Sequence, residues 1–145
     1  MDFINRLIHA VTELHPIHPM LVHFPIALTG AAFLFILLAY WRKNTALEQA
    51  AFANIVLATL GTIAAGFTGM MDNMNTYDGA APNAGVKVIL AFLLLVLTAG
   101  ISIVRYRNPG MFQTGNRYLY MASYGLSFAI ALVLAFLGGV ILYGF

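Results

Sequence analysis

The four histidines, His9, His15, His18 and His23, are the side chains of this sequence best suited to chemistry, and all fall in its first 23 residues. The dense stretch reads His15-Pro16-Ile17-His18-Pro19-Met20-Leu21-Val22-His23-Phe24-Pro25-Ile26-Ala27-Leu28. Neutral imidazole binds transition metals and haem iron, and it exchanges protons near neutral pH. Pro19 suits the first turn of a helix, where a missing N–H costs nothing. His18 then falls at or near the cap, and His23 lies about one turn inside. Pro25 cannot donate to the carbonyl of Leu21, so a bend is expected there, with room for a ligand or water. Histidine inside a membrane helix is costly unless paired, and it usually faces the bundle interior. The positive end of the helix dipole also disfavours imidazolium. His23 is therefore expected to point inward, near the outer end of the second span around Gly69 to Asp72. It acts there as a ligand or proton carrier, or it hydrogen-bonds a carboxylate such as Asp72 and locks two helices together. His15 is expected to fix the entry turn, and His9 to face solvent or headgroups.

A second group, Met70, Met71, Asp72, Met74, Asp78 and Lys87, is expected on the same side. Methionines usually pack, but a thioether also pairs with histidine as an axial haem ligand. The candidate haem b ligands are thus His18, His23, Met71 and Met74. The candidate ligands of a transition metal are His15, His18, His23 and Asp72. The competing expectation is a protein with no cofactor. No histidine follows His23, so a six-coordinate haem needs a methionine or a second chain. The stretch Asp72-Asn73-Met74-Asn75-Thr76-Tyr77-Asp78-Gly79 faintly resembles a calcium loop but lacks the distal Glu. With no cysteine, disulfides, thiolate metal sites, iron–sulfur clusters and covalent c-type haem are excluded.

The elements that must position these residues follow from composition. Of 145 residues, 61% are hydrophobic and 8% charged. A water-facing surface so poor in charge would be one large apolar patch, so the natural solvent is lipid. A spanning helix needs roughly 20 mostly apolar residues. Four segments qualify, at about 19–41, 50–71, 85–104 and 118–143. The expected fold is all-α: a single membrane domain, a polytopic four-helix bundle. Residues 1–18 form a short interfacial segment, in which Phe3, Leu7, Val11 and Leu14 recur at helical spacing. No cleavable signal peptide is read from it.

Charge sets the expected sidedness. Arg42, Lys43, Arg105, Arg107 and Arg117, five of the seven basic residues, fall in the loops after the first and third spans. The positive-inside rule assigns those loops to the cytoplasm. Both termini, the histidines and the Asp72–Pro82 loop then face outward from a bacterial inner membrane. Small residues at spacings of three to four mark helix contacts: Ala27, Gly30 and Ala31 on the first span, and Ala58, Gly61, Ala65, Thr68 and Gly69 on the second. Few basic residues in short loops make no nucleic-acid footprint.

The run His18-Pro19-Met20-Leu21-Val22-His23-Phe24-Pro25-Ile26 resembles the H-P-x-x-V-H-F-P-I signature of a widespread bacterial family of small four-helix membrane proteins of unknown function. Gly66-Phe67-Thr68-Gly69-Met70-Met71-Asp72 is similar to that family's second-helix ending. The resemblance covers the first half of the chain by motif and the second half by helix count. It implies a four-helix membrane domain, sometimes found alongside redox modules such as Rieske or cytochrome domains. Related sequences often carry another histidine near the start of the third helix, where this chain has Asn83 or Lys87. A bis-histidine haem between the first and third helices of one chain is thus not available.

Two functions stand nearly level. One is a membrane accessory of a redox complex, holding haem or metal at the outer histidine cluster and serving a periplasmic electron carrier. The other is a structural scaffold subunit without a cofactor. Both imply other membrane subunits or a homo-oligomer as partners, besides the lipid bilayer. A transporter is weaker, because no span carries a central ionisable residue. Stand-alone catalysis is not expected, for there is no nucleophile–base pair, no phosphate loop and no second carboxylate at depth.

Overall fold

A computed structural model describes residues 3–12 and 17–143. Its helices are α1 (Phe3–Thr12), α2 (Ile17–Arg42), α3 (Thr45–Tyr77), α4 (Ala84–Arg107) and α5 (Arg117–Tyr143), with a 3₁₀ turn at Met111–Gln113 before α5. No strand occurs among the described residues. The four long helices are each long and apolar enough to cross a membrane. They pack in a ring in which α2 meets α3 and α5, and α4 meets α3 and α5. At most 28% of the most apolar stretch of any span is buried inside the bundle. The remaining apolar surface needs lipid around it. In α1, Phe3, Ile4 and Ile8 are exposed.

Each span carries a narrow seam of small and branched residues. On α2 it comprises Pro25, Thr29, Ala32, Ile36 and Ala39; on α3 it comprises Glu48, Ala51, Ile55, Ala58, Thr62 and Ala65. Spacings of three and four keep such a seam on one side of a helix, and small residues let the backbones approach. The helix continues through Pro25. Its ring packs against Gly61, where an added Cβ would lie 3.2 Å from the proline Cδ. On the other flank α2 and α5 interlock, with Phe128 filling the space over Gly30 and Phe33 that over Gly125. Each buried hydroxyl of Thr29, Thr62 and Thr98 donates to a carbonyl one turn back in its own helix, so none is left unpaired in an apolar interior.

Helix ends differ from the sequence expectation in one informative place. α3 has 33 residues, about 50 Å at the helical rise, against a hydrocarbon core of about 30 Å. It begins five residues before the expected Ala50, capped by Asn44, whose side chain accepts from the Ala46 N–H at 2.8 Å. It also runs past Met71 to Tyr77. The stretch from Asp72 to Thr76 is therefore helical and not a loop, which removes the calcium-loop resemblance. Termination comes at Asp78 (φ 48°) and Gly79 (φ 80°). There the Gly79 N–H returns to the Asn73 carbonyl and the Asn73 side chain accepts from Ala81.

Candidate functional site

Histidine chemistry gathers on the seam between α2 and α3. Thr29, Pro25, Val22 and His18 continue the α2 seam toward the amino terminus at steps of four, three and four. His18 is half-buried and lies across Gly69, where an added Cβ would approach its Cε1 to 2.7 Å. Only glycine leaves room for the ring. The His18 Nδ1 lies 3.2 Å from the Thr68 hydroxyl. That hydroxyl already donates to the Ala64 carbonyl at 2.9 Å, so its oxygen accepts and the imidazole donates. The proton of the neutral ring then sits on Nδ1, and Nε2 carries the lone pair. Ile17, His18, Thr68, Met71, Asp72 and Asn75 line a cleft of about 140 Å³ at this point. Asp72 lies one turn beyond Thr68, its Oδ1 accepting from Thr76 at 3.0 Å.

His23 is placed otherwise than expected. It is exposed on the outside of the bundle, and its Nδ1 donates to the Pro19 carbonyl of its own helix. The residue that meets α3 near Gly69 to Asp72 is His18. Met71 and Asp72 share the cleft with His18, while Met74 is 65% exposed and is not among the cleft's lining. His15 lies outside the described residues, and the described side chains do not include His9. Among the described residues no three of histidine, aspartate, glutamate or cysteine come together in a metal-sized group. The cleft thus offers one imidazole and one carboxylate, with a carboxamide and a thioether beside them.

At the opposite end of the bundle lies a group that the sequence reading missed. Glu48 is 3% exposed and takes a two-pronged ion pair from Arg105, with Nε to Oε1 at 2.6 Å and an Nη to Oε2 at 2.8 Å. The Tyr120 hydroxyl donates to Glu48 at 3.0 Å, and the Tyr124 hydroxyl lies 2.7 Å from that of Tyr120. Glu48 is a carboxylate buried by its neighbours at a span end. Starting α3 at Thr45 draws Glu48 into the seam, and Arg105 turns from the end of α4 into the bundle to meet it. A signal was present: Glu48 stands three residues before Ala51 and seven before Ile55, in register with the small-residue face. Near it, Tyr40 on α2 and Tyr118 on α5 approach through their hydroxyls at 3.3 Å.

Four antiparallel apolar helices with charged groups confined to the two ends define a small polytopic membrane protein. The chain belongs to the family described as "Predicted membrane protein (DUF2231)", whose model matches residues 14–145. No curated protein and no solved structure matches it.

Proposed function

We propose that this chain is a membrane subunit whose cleft at the histidine end takes a transition-metal ion on His18 and Asp72, as an accessory of a membrane redox assembly. The observation that carries the reading is the seat of His18, its Nδ1 3.2 Å from the Thr68 hydroxyl in a cleft shared with Asp72. Metal-binding histidines typically donate one ring N–H to a fixed acceptor, which aims the other nitrogen at the metal. Thr68 is that acceptor, and Nε2 is left to ligate. Imidazole nitrogen with carboxylate and carboxamide oxygen suits zinc, copper, nickel or iron among divalent ions. Two strong ligands from one chain leave positions for water or for a neighbouring subunit. A haem does not fit this cleft: about 140 Å³ is well below the roughly 300–1,000 Å³ of pockets that enclose larger ligands. Haem would have to be shared between chains through the exposed His23.

The outward position of His23 supports the subunit reading. An imidazole facing lipid within a span is expensive, and a protein neighbour on that face of α2 removes the expense. The redox setting rests on the resemblance to domains found beside Rieske and cytochrome modules. By the basic-residue bias, the cleft faces outward from a bacterial inner membrane. A second reading has its own observation: the close seat of His18 on Gly69 makes it a lock between α2 and α3, needing no metal.

Metal titration of the purified, detergent-solubilised protein separates the two. With Zn²⁺ or Cu²⁺ as probe, calorimetry on the wild type is expected to show one site that weakens at least tenfold in His18→Ala and in Asp72→Asn, and is unchanged in His23→Ala. No binding by the wild type leaves the lock. Loss in His23→Ala alone overturns the assignment, and a Soret band in the purified protein turns it toward a shared haem.

A further inference from the structure

Between α4 and α5 the helices touch but leave a trough open on one side. An apolar groove of about 620 Å³ runs there, walled by Leu93, Gly100 and Val104 on one side and by Leu119, Ser123 and Ile130 on the other. Gly100 keeps it open, since a Cβ at that position would meet nothing within 4 Å. Gly30, Gly61 and Gly125 have neighbouring side chains over them, whereas Gly100, like Gly66, Gly138 and Gly139, faces open space. Gly100 has no such neighbour in the chain, although glycine costs a helix interior about 1 kcal/mol relative to alanine.

Dimensions select the occupant. From Leu93 to Val104 is about 16 Å along the axis, close to the roughly 15 Å depth of one leaflet's hydrocarbon. An apolar trough of that length, open along one side, accepts polymethylene chains lying along the helices. The lining has no spare polar group to read a ring carbonyl. Ser123 donates to the Tyr120 carbonyl, and the Tyr120 hydroxyl to Glu48.

Charge completes the fit at the mouth. Arg107 lies three residues beyond Val104, on the same side of the helix. It is exposed and, among the described residues, has no ion-pair partner. Arg105 beside it is committed to Glu48. The groove's basic end is the one the positive-inside rule assigns to the cytoplasm, where anionic lipids are found.

We propose that the groove between α4 and α5 is a binding site for one anionic diacyl phospholipid of the leaflet at the basic end, its two chains along Gly100 and its headgroup at Arg107. Lipid retention tests this. The protein is reconstituted in vesicles of equal phosphatidylcholine and phosphatidylglycerol, extracted in mild detergent and weighed intact by native mass spectrometry. Wild type is expected to keep one phosphatidylglycerol, favoured about fivefold, the worth of one basic residue at an anionic surface. Gly100→Phe should lose retention of both lipids, and Arg107→Gln should keep retention but lose the preference. Should Gly100→Phe fail to insert, Ile130→Trp narrows the groove from the opposite wall. Equal retention of the two lipids by wild type, or retention untouched by the filling variants, overturns the proposal. So does a dimer that those variants dissolve with no change in bound lipid.

Discussion

His18 and His23 are five residues apart, which sets them about 140° apart around a helix. One of them can therefore lie on the α2–α3 seam, and the other must leave it. The seam's own spacing decides: steps of three and four from Ala39 back through Pro25 reach His18 and pass His23 by. Depth in the span, the ground on which His23 is expected inward, carries no such directional information. The consequences are specific. Thr68→Val removes the acceptor that holds the His18 proton on Nδ1, and metal affinity should fall about 10–100-fold, the usual worth of such a partner. Gly69→Ala places a methyl group 2.7 Å from the His18 Cε1. The ring must swing into the cleft, at a cost of about 1 kcal/mol, the lower end for overpacking, because the displaced group is mobile. Thermal melts in detergent should show that loss for Gly69→Ala. His23→Ala should stay within about 0.5 kcal/mol of wild type, as surface changes do. If His23→Ala were the more damaging of the two, the seam would not be the place where the histidines matter.

Among the elements, α3 is the one to which both ends of the bundle are tied. Its seam starts at Glu48 and, continued past Ala65 at steps of four and three, passes Gly69 and arrives at Asp72. One helix face thus carries a carboxylate at each end. At the Glu48 end the ion pair joins α3 to α4, and Tyr120 adds α5. Removing one partner from a buried pair strands the other charge and typically costs about 3–5 kcal/mol, while replacing both with apolar groups is often neutral. Glu48→Leu should therefore be severely destabilised, Arg105→Leu comparably so, and the double variant should recover most of the loss. Tyr120→Phe, which removes one hydrogen bond to the carboxylate, should cost about 1.5–3 kcal/mol. Melting of the four variants in one detergent gives the cycle directly. An additive double variant would show that Glu48 and Arg105 act independently.

At the scale of the whole molecule, helix number and approximate ends were legible because lipid permits few spanning structures and demands about 20 apolar residues of each. The ends were less so. Apolar composition marks where hydrocarbon stops, whereas α3 continues for about two turns beyond, under the control of Asn44 at one end and of Asp78 and Gly79 at the other. For the same reason Asp72, which reads as a loop charge, is helical, and Glu48 joins α3 ahead of the expected start of the span. That a histidine meets α3 near Met71 and Asp72 was legible, but which histidine does so was not, since that depends on the register of one seam against another. Sidedness has a separate physical origin, the distribution of Arg42, Lys43, Arg105, Arg107 and Arg117, and it admits a direct test. The chain has no cysteine, so single cysteines can be placed at will. Thr45 and Gln113 lie at the basic end, Gly79 at the histidine end, and all three are exposed. A membrane-impermeant maleimide added to intact cells should label Gly79→Cys and leave Thr45→Cys and Gln113→Cys unlabelled until the cells are broken. The reverse pattern would put the His18 cleft in the cytoplasm and the Arg107 mouth outside. It would leave the helix packing untouched but remove any periplasmic electron carrier from consideration.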